Sequence, residues 1–214
     1  KANDMLDALG LDKRDEDGIR LLPDGRPMNI IVETAGEDTE QTDVLELVHD
    51  GWAEVGIKLF TKPSQREVFR NRIFSGETLI SIWGGFENGL PTAGMNPAEL
   101  APTSQQSLQW PKWGQFFETK GQAGEAPDLP KAKELADLNG QWLVSTDDAT
   151  RADIWQQMLQ IHADETFSIG IVSGVMQPVV ASGKLRNIPA EAVYNWDPGA
   201  MFGIYRPDTF YYEK

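Results

Sequence analysis

The sequence predicts an α/β fold, and three features of residues 28 to 83 carry that expectation. Met28 to Thr34, Lys58 to Thr61 and Thr78 to Trp83 are short runs rich in β-branched and aromatic residues, the length and composition of strands. Between them lie two stretches whose apolar residues recur at helical spacing. The resulting order of strand, helix, strand, helix, strand implies parallel strands joined by crossovers, with helices covering the sheet.

The elements follow in order. Met5, Leu6 and Leu9 sit at helical spacing and Gly10 follows as a left-handed stop, so the chain opens on a short helix from Asn3 to Leu9. Ile19, Leu21 and Leu22 lie in a charged stretch closed by the turn Pro23-Asp24-Gly25, which reads as a strand and turn before the strand at Met28. From Thr39 to Val55, the residues Val44, Leu47, Val48, Trp52 and Val55 form one apolar stripe and Gly56 ends it, an amphipathic helix. Ser64 and Glu67 have the spacing of a capping box for a helix through Phe69 and Ile73 to Gly76. Residues 86 to 129 then lose all periodicity to interspersed proline and glycine, yet hold Trp110, Trp113, Phe116 and Phe117. A stretch that long without regular structure is expected to bind or cover something. Asp128 and Pro130 open a helix through Leu135, Leu138 and Trp142, and a second opens near Asp147. The two are expected to form a hairpin packed on the sheet. Phe167 to Val172 and Pro178 to Ala181 read as two further strands; beyond them the aromatic, turn-rich tail has no clear period.

Composition excludes several functions. The 214 residues hold 33 Asp plus Glu against 19 Lys plus Arg, a formal charge of −14, the wrong sign for a nucleic-acid binder. With no cysteine and two histidines, His49 and His162, there is no thiolate site and little for a metal cage. Asp15, Asp17 and Gly18 mimic part of a calcium loop, but Lys13 stands at its first position and Asp24 at its last, so a solvated turn is the better reading. His162 beside Ile161 reads as a packing histidine and His49 as partly exposed. No phosphate loop, nucleophile elbow, zinc helix or dinucleotide fingerprint occurs. The sequence thus offers no catalytic residue, metal or cofactor. No run approaches the roughly 20 apolar residues of a membrane helix, and Lys1, neither an initiator methionine nor part of a signal peptide, suggests a piece of a longer gene product.

Ligands of open α/β sheets collect beyond the carboxyl ends of the strands, which here are Glu33-Thr34-Ala35, Lys62-Pro63 and Trp83-Gly84-Gly85. The last is the most informative. Trp83 offers a flat apolar wall, Gly84 and Gly85 let the backbone approach a bound molecule, and Phe86, Glu87 and Asn88 complete the candidate ligand-binding run.

The ordered motifs Asn3 to Gly10, Asp17-Gly18-Ile19-Arg20, Asp24-Gly25-Arg26-Pro27, Val55-Gly56-Ile57-Lys58 and Trp83-Gly84 resemble the C-terminal lobe of family 5 extracellular solute-binding proteins, the peptide, opine, nickel and sugar receptors of ABC importers. The resemblance covers most of residues 1 to 90. It implies a periplasmic-binding-protein-like lobe with a mixed sheet flanked by helices over residues 1 to 214, the tail from about 190 packing on a missing N-terminal lobe. It further implies a periplasmic or extracellular receptor, associated with the membrane through its transporter, that hands a small solute to ABC permease subunits. Peptide-binding members place an acidic residue shortly after the tryptophan. Here Glu87 comes one place late and Asn96-Pro97 stands where Asp-Pro often occurs, so peptide, opine and sugar all remain open. Two rivals are a carbohydrate-active hydrolase using paired carboxylates with tryptophan subsites, and an interaction module without a small ligand.

Overall fold

In the computed structural model, the residues described are 1–37, 39–85, 92–171, 176, 178–192 and 205–213. The chain divides into two units, Lys1–Trp83 and Gly84–Lys214.

The first unit realises the predicted alternation. Helix α1 (Ala2–Ala8) is followed by β1 (Asn29–Thr34), α2 (Thr39–Glu54), β2 (Lys58–Pro63), α3 (Arg66–Ser75) and β3 (Ile80–Ser81). The strands are parallel in the order β2-β1-β3, with Ile30 opposite Leu59 and Val32 opposite Ile80. Alternation along β1 sends Val32 into a core with Leu45 and Leu59, against which Ile30, Val48, Trp52, Ile80 and Ile82 pack. The face of α2 turned to this core runs through Leu45, Val48 and Trp52, so the expected stripe is shifted: Leu47, placed on it, is exposed.

Three local expectations change. Residues 12 to 27 make isolated bridges, Arg14 with Arg20 and Leu21 with Pro27, rather than a strand. Ser64 does not cap α3: its amide donates to Thr34 O at 3.0 Å and so continues the ladder, which moves the helix start to Arg66 behind an extended Gln65. The third strand is shorter than the run Thr78 to Trp83, because only Ile80 and Ser81 find register partners on β1; Leu79 is left exposed.

A buried arginine joins the start of this unit to the end of α2. Arg20 is 1% exposed. Its guanidinium donates to Val55 O at 2.7 Å, Asn3 Oδ1 at 2.7 Å, the Asp7 carboxylate and the Leu11 carbonyl. Helix α1, the loop after it and the end of α2 thereby share one cation. Gly56 has φ +82°, and a Cβ there would lie 2.5 Å from Arg14 Nη1 and 2.9 Å from Gly18 O, which accounts for glycine at this stop.

The second unit is helical: α4 (Pro111–Glu118), α5 (Pro130–Val144) and α6 (Asp148–Glu165), with a small antiparallel pair, β4 (Leu185–Arg186) and β5 (Tyr211–Tyr212). Asp147 caps α6 by accepting from Thr150 N at 2.8 Å, as its position predicts, whereas α5 is capped at Leu129 without Asp128. The α5–α6 hairpin encloses a core of its own. Leu135, Leu138 and Trp142 of α5 meet Ile154, Met158 and Ile161 of α6 over Leu100 and Ala101. The proline-rich stretch is held to these helices by polar tips: Trp142 Nε1 donates to Ala93 O (3.0 Å), Trp155 Nε1 to Met95 O (2.9 Å) and His162 Nε2 to Leu100 O (2.8 Å). His162 is thus a packing histidine, its ring against Trp110 and Phe167. His49 is exposed.

Neither apolar run proposed as a late strand forms a ladder among its described residues 167–171 and 178–181. Ile169, Ile171, Val179 and Val180 are exposed; β propensity without a partner strand does not make a strand.

Candidate functional site

The order β2-β1-β3 creates a switch point, since the chain leaves β1 for β2 on one side and returns across β1 to β3 on the other. Ligands of such sheets bind beyond the carboxyl ends of the strands, the edge at which β1, β2 and β3 all end.

The loops after β1 and β2 close on each other at this edge. Gly36 has φ +65°, and a Cβ there would stand 3.3 Å from Pro63 Cβ. Together they line a cleft of about 510 Å³ walled by Ala35, Gly36, Glu37, Pro63, Ser64, Gln65 and Arg66. Arg66 occupies its polar end. Its Nε donates to Glu37 Oε1 at 2.8 Å and Oε2 at 3.0 Å, and its Nη2 to Oε2, a paired geometry that fixes the guanidinium plane. These hydrogen bonds to Glu37, with the charge of its carboxylate, raise the Arg66 pKa. The same guanidinium lies over Trp83, 5.2 Å from the ring centroid. Trp83 in turn stacks on Phe69 of α3, centroids 5.6 Å apart at 22°.

Of the six residues singled out from sequence, Trp83, Gly84 and Gly85 are described, while Phe86, Glu87 and Asn88 lie outside the described residues. Trp83 is half-buried, and its ring is partnered rather than a bare wall. Gly84 and Gly85 are exposed, with no described atom within 4 Å of a Cβ placed on either. Among the described residues nothing gives a steric reason for two glycines there. Glu37 and Arg66 were not singled out from sequence. They follow directly the strand ends at Glu33-Thr34-Ala35 and Lys62-Pro63, so reading a few residues further along each end would find them.

Glu33, on β1 beside this edge, is 4% exposed. Arg72 grips it through Nε and Nη2 at 2.8 and 2.9 Å, with Lys62 Nζ at 3.7 Å. The Arg72 hydrogen bonds hold its carboxyl below the usual glutamate range. A carboxylate so stabilised is the opposite of the raised-pKa acid that glycoside hydrolysis uses. A lowered pKa means stability that is present above the ordinary glutamate pKa and is lost as pH falls through the native one. Glu33→Gln is expected to cost about 2 kcal/mol at pH 7, with the gap to wild type narrowing toward pH 3. Urea midpoints at the two pH values check this; a gap that stays constant contradicts it.

A second hollow of about 430 Å³ lies on α6, walled by Ala93, Ala152, Trp155, Gln156, Leu159, Gln160 and Ala163. It presents no charged group. Among the described residues no cluster of three His, Asp or Glu side chains is placed to hold a metal, and no helix is long and apolar enough to cross a membrane.

No known family model matches the chain, and no curated protein is similar to it. Solved structures are. The oligopeptide-binding protein OppA aligns over 77% of this chain and 28% of its own at 23% identity, TM-score 0.64. The periplasmic binding protein MelB from Agrobacterium fabrum C58, in complex with stachyose, aligns over 78% of this chain and 24% of its own at 18% identity, TM-score 0.61. NikA from Brucella suis, in complex with Fe(III)-EDTA, aligns over 77% and 30% at 21% identity, TM-score 0.54. The chain thus spans under a third of the length of these proteins. At such identities the likeness concerns the fold, and the chain has the fold of a segment of the periplasmic solute-binding proteins that its sequence resembles.

Proposed function

We propose that residues 1 to 214 form the C-terminal lobe of an ABC-importer substrate-binding protein, in the periplasm or at the cell surface. It captures a small solute against a second lobe and presents it to membrane permease subunits. The observation that carries this reading is the carboxyl edge of the parallel sheet, where Arg66 both lines the cleft and lies over Trp83. Likeness in fold to an oligopeptide-binding protein and to proteins in complex with stachyose and with Fe(III)-EDTA supports a binding role and leaves the solute class wide. Trp83 supplies the apolar surface and Gly84-Gly85 the close backbone approach; Glu87 or Asn88 selects polar groups.

Binding between lobes draws affinity from closure about a hinge, so the lobe alone binds weakly. Calorimetric titration with oligopeptides, opines and oligosaccharides tests the reading. Trp83→Ala is expected to lower affinity for the cognate solute about thirtyfold, the scale of a buried aromatic anchor. Unchanged affinity removes Trp83 from the site. Turnover of a glycoside by the wild-type chain would instead establish the hydrolase reading.

A further inference from the structure

The inference here rests on the solute-binding reading and concerns which solute the cleft accepts. Its polar end is built from a compensated pair. Glu37 occupies Arg66 Nε and Nη2, leaving the Nη1 amino group without an acceptor among the described residues, and each Glu37 oxygen retains accepting capacity. The Ser64 hydroxyl, also lining the cleft, is a buried oxygen with no hydrogen-bond partner among the described residues. The Gln65 side chain adds an amide that both donates and accepts. Donors and acceptors therefore stand side by side with no net charge, next to the ring of Trp83.

We propose that the Glu37–Arg66 pair is the specificity element of this site and selects a neutral polyhydroxylated solute, an oligosaccharide. A ligand carboxylate entering the cleft meets the Glu37 carboxylate beside the cation it needs, in a chain of formal charge −14. An amino terminus meets Arg66 in the same way. A hydroxyl, donor and acceptor at once, satisfies both members of the pair and the Ser64 oxygen, and the apolar face of a sugar ring suits an aromatic neighbour.

The test uses the full chain and three probes at matched millimolar concentration: stachyose, tetragalacturonate and trialanine. Binding is followed by the resonances of the Trp83 indole and the Arg66 Nε–H. Stachyose is expected to shift both saturably, with no shift from the two charged probes. Glu37→Gln leaves Arg66 uncompensated. It is expected to weaken stachyose about fivefold, one hydrogen bond's worth, and to strengthen tetragalacturonate about tenfold. Both side chains of the pair are about half exposed, so the variant keeps its fold, which its amide spectrum verifies. Tetragalacturonate or trialanine binding the wild type as tightly as stachyose overturns the inference, as does a Glu37→Gln variant with unaltered preference. Binding of a charged probe with stachyose silent refutes this specificity alone and leaves the solute-binding reading standing. Failure of every oligopeptide, opine and oligosaccharide to bind refutes both.

Discussion

Replacing Arg20 by methionine is expected to lower the unfolding free energy of the first unit by about 4 kcal/mol, among the largest losses available to a single side chain here. Methionine fills much of the volume but donates nothing. The Leu11 carbonyl then loses its side-chain donor, and the Val55 carbonyl and Asn3 Oδ1 keep only Arg14 Nη2, at 3.3 and 2.9 Å, in a place where Arg20 itself is 1% exposed. Asp7 is half exposed and recovers its solvation cheaply, so most of the cost comes from the Leu11 carbonyl left without its donor and the Val55 carbonyl left with a longer one. Arg20→Lys keeps the charge but offers a compact ammonium in place of a fork, and recovers under half of the loss. Urea unfolding followed by amide exchange in residues 1 to 83 measures both variants. A loss below about 1 kcal/mol for Arg20→Met would show that water replaces the guanidinium at these carbonyls.

In the second unit the comparable experiment adds a single methyl group. Gly114 is buried in α4, and a Cβ on it would lie 2.1 Å from both the carbonyl carbon and the oxygen of Ser104 and 2.6 Å from Gln105 N. These are backbone atoms, with no flexible side chain to swing aside. Alanine ordinarily favours a helix over glycine by about 1 kcal/mol; here it forces α4 away from residues 104–105. The net expectation for Gly114→Ala is a destabilisation of about 3 kcal/mol, the upper part of the range for overpacking. Loss of the near-ultraviolet signal of the neighbouring Trp110–Trp113 stack should accompany it. A variant as stable as wild type would contradict the close approach.

These two sites mark where the sequence was legible and where it was not. Periodicity found α2, α5 and α6 because each buries one stripe, and the end of α2 was readable from Gly56, whose positive φ no other residue adopts comfortably. Local pattern misplaced the start of α3 because the Ser64 amide is claimed by Thr34 across the sheet, a fact absent from the neighbours of Ser64. It over-read residues 167–171 and 178–181 for the same reason, since a ladder depends on a partner strand. Arg20 and Gly114 were visible only as members of a motif and of a glycine-rich stretch. Their roles depend on residues 35 and 10 positions away along the chain, respectively. The site shows a similar split. Trp83 and the glycines after it could be located from the strand order, whereas Arg66 and Glu37, 29 positions apart, meet only once β1 and β2 are paired side by side.

The central claim is that solute binds at the carboxyl edge of the parallel sheet. Amide and indole chemical shifts of the isotope-labelled chain, recorded during titration with a panel of oligopeptides, opines and oligosaccharides, test it most directly. Saturable shifts are expected, confined to residues 35–37, 63–66 and 83–85 together with the Trp83 indole. Shifts centred instead on the hollow of α6 around Trp155 and Leu159, or none with any solute, would contradict it.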